Sequence, residues 1–169
     1  MITIREMIKN DAEPMATAFS AQGWQKPAAQ FAAYWRESNT GARLVLLANV
    51  AGAFAGYLTI VWESDYPPFR AAGIPEIVDF NVLMTYQRRG VGTALMDEAE
   101  RQIAQRAHTA GIGVGLLPDF GNAQILYVKR GYLPDGRGLF AHGRWLEHGD
   151  AIRIDDFVAL YFTKKLRER

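Results

Sequence analysis

The stretch from Pro75 to Glu100 constrains this chain most, because its periodicity changes halfway along. Ile77, Val78, Phe80, Val82 and Leu83 form a run behind Pro75 that is rich in β-branched and aromatic residues, and it reads as a strand. From Val91 onward, Val91, Leu95, Ala99 and Ile103 recur every four residues, with Ala94 and Met96 beside them. Asp97, Glu98, Glu100 and Arg101 fall mainly on the other side, so the spacing predicts an amphipathic helix. Gln87-Arg88-Arg89-Gly90-Val91-Gly92 joins strand to helix. A helix start presents N–H groups without intrahelical acceptors, together with the positive end of the dipole. Glycines at 90 and 92 let a ligand approach the main chain, and Arg88 and Arg89 add charge at the rim. The junction is therefore a candidate phosphate cradle. A glycine-assisted turn that binds nothing explains the glycines alone equally well. A dinucleotide fingerprint needs a third glycine where Leu95 stands, and a Walker loop needs a Gly-Lys-Ser/Thr that is absent.

Two segments carry a resemblance. Gln87-x-x-Gly90-x-Gly92, between a strand and an amphipathic helix, resembles the acetyl-CoA motif of the GCN5-related N-acetyltransferase (GNAT) superfamily, (Gln/Arg)-x-x-Gly-x-(Gly/Ala). Val82-Leu83-Met84-Thr85-Tyr86 is similar to that family's Val-x-Pro-x-Tyr lead-in, with Met84 in the place of the proline. Ala123-x-x-x-Tyr127-x-x-x-Gly131-Tyr132 resembles its Ala-x-x-x-Tyr-x-x-x-Gly-(Phe/Tyr) segment. The likeness covers most of residues 43–133, and the flanks match in element order only.

The resemblance implies a cofactor site. In that family the central strand and the next one run parallel and splay apart, and the pantetheine arm of acetyl-CoA lies between them. By analogy the backbone of Val82, Leu83 and Met84 holds pantetheine. Arg88, Arg89, Gly90, Val91, Gly92 and Thr93 hold the pyrophosphate, and Gln87, Asn122 and Tyr127 complete the cofactor set. Members often carry an asparagine three residues before the position of Ala123; here that residue is Phe120. Asn122 is nearby and doubles as a candidate helix cap. Lys129 and Arg130 are candidates for the 3′-phosphate or simply a solvated helix end.

Acetyl transfer to an amine needs a neutral amine, a polarised thioester carbonyl and a proton for the departing thiolate. Tyr127 stands where the family often places a tyrosine near the CoA sulfur, and a phenol is protonated at neutral pH. It reads equally as the aromatic on the buried face of a short helix. Glu76 stands where the histone-acetylating branch places its general base. Asp79, three residues on, falls on the opposite face of an unbulged strand. Both carboxylates also read as strand-end charges or ion pairs. His142, expected on the sixth strand, and a water chain are the remaining candidate bases. No metal is expected. Glu76, Asp79, Asp155 and Asp156 are candidates for an acidic mouth suited to a cationic amine.

Composition points to one domain over residues 1–169: the chain has 169 residues, 49% of them apolar, which is enough for a core. The absence of cysteine excludes a disulfide scaffold, a thiol nucleophile and a cysteine-based zinc site. A net charge of +1 gives no global attraction to nucleic acid or an acidic membrane. Charged residues appear by Arg5 and Glu6, and no apolar run reaches the length of a span, so a soluble cytoplasmic protein is expected.

Along the chain, Ile2–Ile8 alternates as a strand. Asn10 or Asp11 caps a helix with Met15, Ala18 and Phe19 inward, and a second helix follows Pro27. The aromatics of the second helix, Phe31, Tyr34 and Trp35, read as core or as a wall of the acceptor site. Residues 43–48 and 53–62 form a hairpin, and 63–73 an irregular loop. Residues 111–117 form a strand and 122–130 a helix ended by Gly131. Residues 139–146 and 157–166 form the last strands. The order β-α-α-β-β-β-α-β-α-β-β predicts an α/β fold (an α+β mixed sheet) with helices on its faces. The expected function is acetyl-CoA-dependent transfer of an acetyl group directly to a primary amine of a small molecule or protein. The alternative is a non-catalytic acyl-CoA-binding or sensing protein of the same fold, with a nucleotide-binding module third. A homodimer is expected from the family and from the apolar content of the last two strands.

Overall fold

Alternation along the central strands gives the sheet two apolar faces, and each recruits its own helices. In the computed structural model, which describes residues 1–166, the elements are β1 (Ile2–Glu6), α1 (Ala12–Ala21), α2 (Ala28–Asn39), β2 (Arg43–Val50), β3 (Ala53–Val61), α3 (Pro67–Ala72), β4 (Glu76–Val82), α4 (Val91–Ile103), β5 (Thr109–Val114), α5 (Gly121–Lys129), β6 (Leu133–Ala141), β7 (Arg144–Trp145) and β8 (Val158–Lys165). They form one mixed sheet in the order β1-β2-β3-β4-β5-β8-β6-β7. Leu46, Leu58, Ile60, Ile77 and Ile112 point to one face and meet Val91, Leu95, Met96, Ala99 and Ile103 of α4. Val45, Leu47 and Tyr57 point to the other and meet Met15 and Phe19 of α1 and Phe31 of α2. Phe19 and Phe31 are fully buried, each contributing roughly 1.5–3 kcal/mol of hydrophobic stabilisation. The core reading of Phe31 holds, while Tyr34 and Trp35 are half-buried at its edge.

The mixed α/β fold is as the sequence predicts, with two added elements and several shifted boundaries. The segment expected to be irregular contains α3. Pro67 and Pro68 occupy its first positions, where a missing N–H costs no helix bond, and Gly73 ends it in the left-handed region. The strand expected over residues 139–146 is a hairpin: β6 turns at His142 and Gly143, both at positive φ, into the short β7. His142 therefore sits in a turn and not on a strand. Pairing of β6 with β8 slips between Pro134 and Leu139, which hid the first half of β6 from an alternation pattern. Gly131, at φ +86°, ends α5 as expected, with the Tyr132 N–H donating back to the Tyr127 carbonyl at 3.0 Å. Among the described residues no helix is long and apolar enough to cross a membrane.

Two features of β4 position the site. Its parallel pairing with β5 is confined to Glu76–Gly111 and Ile77–Ile112, after which the strands part. Its antiparallel pairing with β3 shifts between Tyr57 and Thr59, and Asp79 there adopts φ +51°. That is a β-bulge: one extra residue in β4 at the point where β5 departs.

Candidate active site

The parting leaves main-chain groups of β4 without a strand partner. The Leu83 N–H donates to the Ala55 carbonyl at 2.9 Å, which makes Gly56–Val82 the non-hydrogen-bonded pair of the ladder. The Val82 amide therefore turns away from β3 and into the gap, and by alternation so does that of Phe80. The Val82 carbonyl accepts the Gln87 side-chain amide at 3.1 Å. The main-chain groups of the next two residues are engaged elsewhere. The Leu83 carbonyl accepts from the Tyr86 N–H at 2.8 Å, and the Met84 N–H donates to Gln22 Oε1 at 2.9 Å. Of the three residues expected to carry pantetheine, Val82 presents its N–H to the gap, whereas Leu83 and Met84 are spoken for. Phe80, Gln22 and Gly56 were not anticipated. A Cβ on Gly56 would lie 2.6 Å from the Asn81 carbonyl oxygen, so only glycine lets β3 approach β4 this closely.

At the mouth of the gap, Gly90 caps α4 at φ +83° and Arg88 sits at φ +58°. The first intrahelical donor is the Ala94 N–H, to the Gly90 carbonyl at 3.0 Å. The N–H groups of Val91, Gly92 and Thr93 are those that a helix start leaves for an external acceptor. Arg88, Arg89 and Gly90 are exposed around them, as is Thr93. Gly92 has a packing reason as well, since its Cβ would come 3.2 Å from the Phe80 ring. The six-residue loop is thus brought together with the end of β4.

The α5 side differs in detail. Tyr127 is buried against the α4 core, and burial pushes its hydroxyl pKa up, so it stays protonated. Among the described residues its hydroxyl forms no hydrogen bond that would commit it structurally. Asn122 makes no capping bond; the residue at the N-cap position is Phe120. The Phe120 ring lies over Gly115, where a Cβ would sit 2.6 Å away. Arg130 bonds Glu100 at 2.9 Å and Asp97 at 2.7 Å, and Lys164 bonds Glu100 at 2.6 Å, so Arg130 is part of an ion-pair cluster that ties α4, α5 and β8 together.

The bulge changes how the two β4 carboxylates relate. Glu76 pairs in register with Val61 and Val78 with Thr59, which puts them on the Tyr57 side of the sheet. The extra residue brings Asp79 to that side too, where the Tyr57 hydroxyl donates to it. The opposite-face expectation for an unbulged strand therefore does not apply. Their environments are unlike. Glu76 is buried, accepts a hydrogen bond from the Ser64 hydroxyl, and is pushed up to about 7 by that burial, with Asp65 adding to the rise and Ser64 and Arg43 opposing it. Asp79 is also largely enclosed, but Lys26 Nζ at 2.8 Å and the hydroxyls of Tyr57 and Tyr34 outweigh the burial and hold it below the usual carboxylate range. A carboxylate so stabilised is a poor base.

Of the four carboxylates expected at an acidic mouth, Glu76, Asp79 and Asp155 each have their own hydrogen-bond partners. Asp155 accepts the Phe157 N–H at 2.9 Å and faces His142 at 3.3 Å, in the exposed β6–β7 region. Asp156 is exposed, and among the described residues no three His, Asp or Glu side chains converge closely enough to share an ion. A different group surrounds Glu76. Tyr66, Phe69, Phe140 and Tyr161 form an aromatic cluster over β5, with Tyr66 and Tyr161 stacked at 3.7 Å. Gly111 and Gly113 make room for it: a Cβ on Gly111 would lie 2.3 Å from the Phe69 ring, and one on Gly113 3.0 Å from Tyr161. The Gly-x-Gly alternation was the sequence signal for this packing. The Tyr66 hydroxyl donates to Asp135 at 2.6 Å and locks the cluster to β6.

A mixed sheet that opens between its two parallel strands, with a glycine-lined helix start at the opening, defines an acyltransferase-type architecture. The chain belongs to the acetyltransferase (GNAT) family, whose model matches residues 6–132. Solved structures agree in fold. An N-acetyltransferase from Staphylococcus aureus Mu50 superposes with a TM-score of 0.71 at 12% identity, over 99% of each chain. YncA from Salmonella typhimurium, solved with its cofactor acetyl-CoA, gives 0.70 at 16% identity over 99% of this chain and 95% of that one. The paia N-acetyltransferase from Thermoplasma acidophilum, in complex with coenzyme A, gives 0.67 at 14% identity over 98% and 99%. A search of curated proteins finds no match.

Proposed function

We propose that this member of the family transfers the acetyl group of acetyl-CoA directly to a primary amine of a small molecule or protein. One observation carries the reading: β4 and β5 part after Ile77 and Ile112, beside the free N–H groups that open α4. The relatives solved with acetyl-CoA and CoA support it. The Val91, Gly92 and Thr93 N–H groups, with Arg88 and Arg89, suit a pyrophosphate. The Val82 amide suits an amide of the pantetheine arm. Acetyl-CoA supplies the activated acyl group as a thioester. The amine attacks the thioester carbonyl, the carbon–sulfur bond breaks, and CoA leaves as the thiolate.

Tyr127 is the proposed acid, protonated and without a committed partner, and gives its proton to the thiolate. Glu76 is the proposed base. With its pKa pushed up to about 7 it is balanced between its two forms near neutrality, where a general base works best. The Ser64 hydroxyl donates to its carboxylate and fixes its orientation. We further propose a cytoplasmic location, no nucleic-acid or membrane partner, and a homodimer, the last tested by sedimentation at micromolar concentration. The test of function is a screen of amines that follows thiol release. Release that depends on acetyl-CoA and an amine supports the reading, whereas CoA binding with no turnover on any amine class points to the binding-only alternative.

A further inference from the structure

Asp79 accepts hydrogen bonds from five side chains: Lys26, Gln30, Tyr34, Tyr57 and Asn81. No other carboxylate of the described residues gathers so many. The donors come from the α1–α2 connection, from α2, from β3 and from β4 itself. The residue they grip is the bulge, at φ +51°. Non-glycine residues reach that region at a cost, least for Asp and Asn, and hold it only where the surroundings fix it. The bulge is also where β4 leaves β5, one residue before the Phe80 amide that turns into the gap. Lys26 does more than donate its one hydrogen bond to Asp79. Its ammonium lies 5.9 Å from the Phe19 ring and 5.7 Å from the Tyr57 ring, two members of the core that docks α1 and α2.

We infer that Asp79 is a positioning residue: its grip on five donors holds the β4 bulge in shape and so aims the Phe80 and Val82 amides into the cofactor cleft, while tethering the α1–α2 connection to the same point. The inference rests on the cleft being a CoA site. It assigns Asp79 no proton transfer. The carboxylate is matched to its task by charge, because Lys26 sits where a neutral acceptor would leave an ammonium half-buried and unpaired. Asn at this position keeps the left-handed backbone accessible and one acceptor oxygen but cannot neutralise Lys26, so the bulge loosens without the chain being forced to unfold.

The experiment compares wild type, Asp79→Asn, Lys26→Met and the double variant, all as full chains and all well below their unfolding midpoints. Three quantities are read: CoA affinity by calorimetry, the pH profile of acetyl transfer, and exchange of the Leu83 amide in the ligand-free protein. In Asp79→Asn, CoA should bind roughly ten-fold more weakly, a change on the scale of one charge-assisted hydrogen bond. The Leu83 amide, which pairs with Ala55, should exchange faster. The pH profile should keep its shape. The double variant should recover part of the affinity, because it removes the orphaned ammonium. Unchanged CoA affinity and Leu83 exchange in Asp79→Asn would overturn the inference. So would a loss confined to turnover with a vanished limb of the pH profile, which would make Asp79 the base. Failure of the wild type to bind CoA removes the cleft reading and the inference with it, and is distinguished by appearing before any substitution. Should Asp79→Asn not fold, Lys26→Met removes one donor and is read against the same outcomes.

Discussion

Glu76 and Asp79, three residues apart on β4, face the same side of the sheet because a bulge lies between them and β3. The shared face does not make them a catalytic pair. Asp79 is enclosed by donors and held ionised, whereas Glu76 has the Ser64 hydroxyl and a dry environment that raises its pKa. The pKa values of two like groups thus diverge in opposite directions.

That difference fixes a pH dependence of stability. The folded-state pKa of Glu76, about 7, lies above its ordinary value of 4.5. Folding therefore binds a proton there. The contribution is fully present below the ordinary value and is lost as the pH rises through about 7. Its ceiling is roughly 3 kcal/mol. Glu76→Gln should flatten the fall in stability between about pH 5 and pH 8 that the wild type shows by denaturant titration. Parallel slopes for the two proteins would contradict the assignment.

Gly90 tests the loop. Its Cβ would meet nothing closer than an Ile2 methyl at 3.8 Å, so any effect of Gly90→Ala comes from φ +83° alone. The strain is about 1–2 kcal/mol. The variant should remain folded but bind CoA several-fold more weakly, as measured by calorimetry. Equal affinity would mean that the left-handed cap does not shape the cradle.

The strand, turn and helix around Gly90 were legible in the sequence because the period changes between Leu83 and Val91. The end of α5 was legible because Gly131 is the residue a left-handed cap needs. The bulge was not, since Asp79 and Asn81 alternate with Val78, Phe80 and Val82 as they would in a regular strand, and only the pairing with β3 reveals the extra residue. The helix α3 was hidden by Pro67 and Pro68, which suit a first turn as well as a loop. Tyr127 could be placed from its motif, but the free state of its hydroxyl depends on packing. The hydrogen bond from the Met84 N–H to Gln22 joins residues far apart in the chain and leaves no local signature.

Gly111→Ala would put a methyl 2.3 Å from the Phe69 ring. Overpacking of this kind costs about 1–3 kcal/mol. The midpoint of unfolding should fall by several degrees for a chain of this size. A second change, Phe69→Leu, should return part of the loss. No loss in the single variant would show that the aromatic cluster is not packed against β5.

Tyr127→Phe removes only a hydroxyl that makes no hydrogen bond among the described residues, so stability should barely change. Turnover of acetyl-CoA with a good amine should fall at least about ten-fold, below what a well-positioned acid or base contributes, while CoA affinity is kept. Full turnover in the variant would remove Tyr127 from the chemistry.

The central claim is that the gap between β4 and β5 is a CoA site. Thermal unfolding with acetyl-CoA, CoA and NADH in parallel tests it most directly. A ligand at about a hundred times its dissociation constant adds roughly 2.7 kcal/mol if it binds only the folded state. The midpoint should rise by several degrees with acetyl-CoA and CoA and not at all with NADH. No rise with either CoA species would contradict the claim and leave Gly90-Val91-Gly92 as a turn.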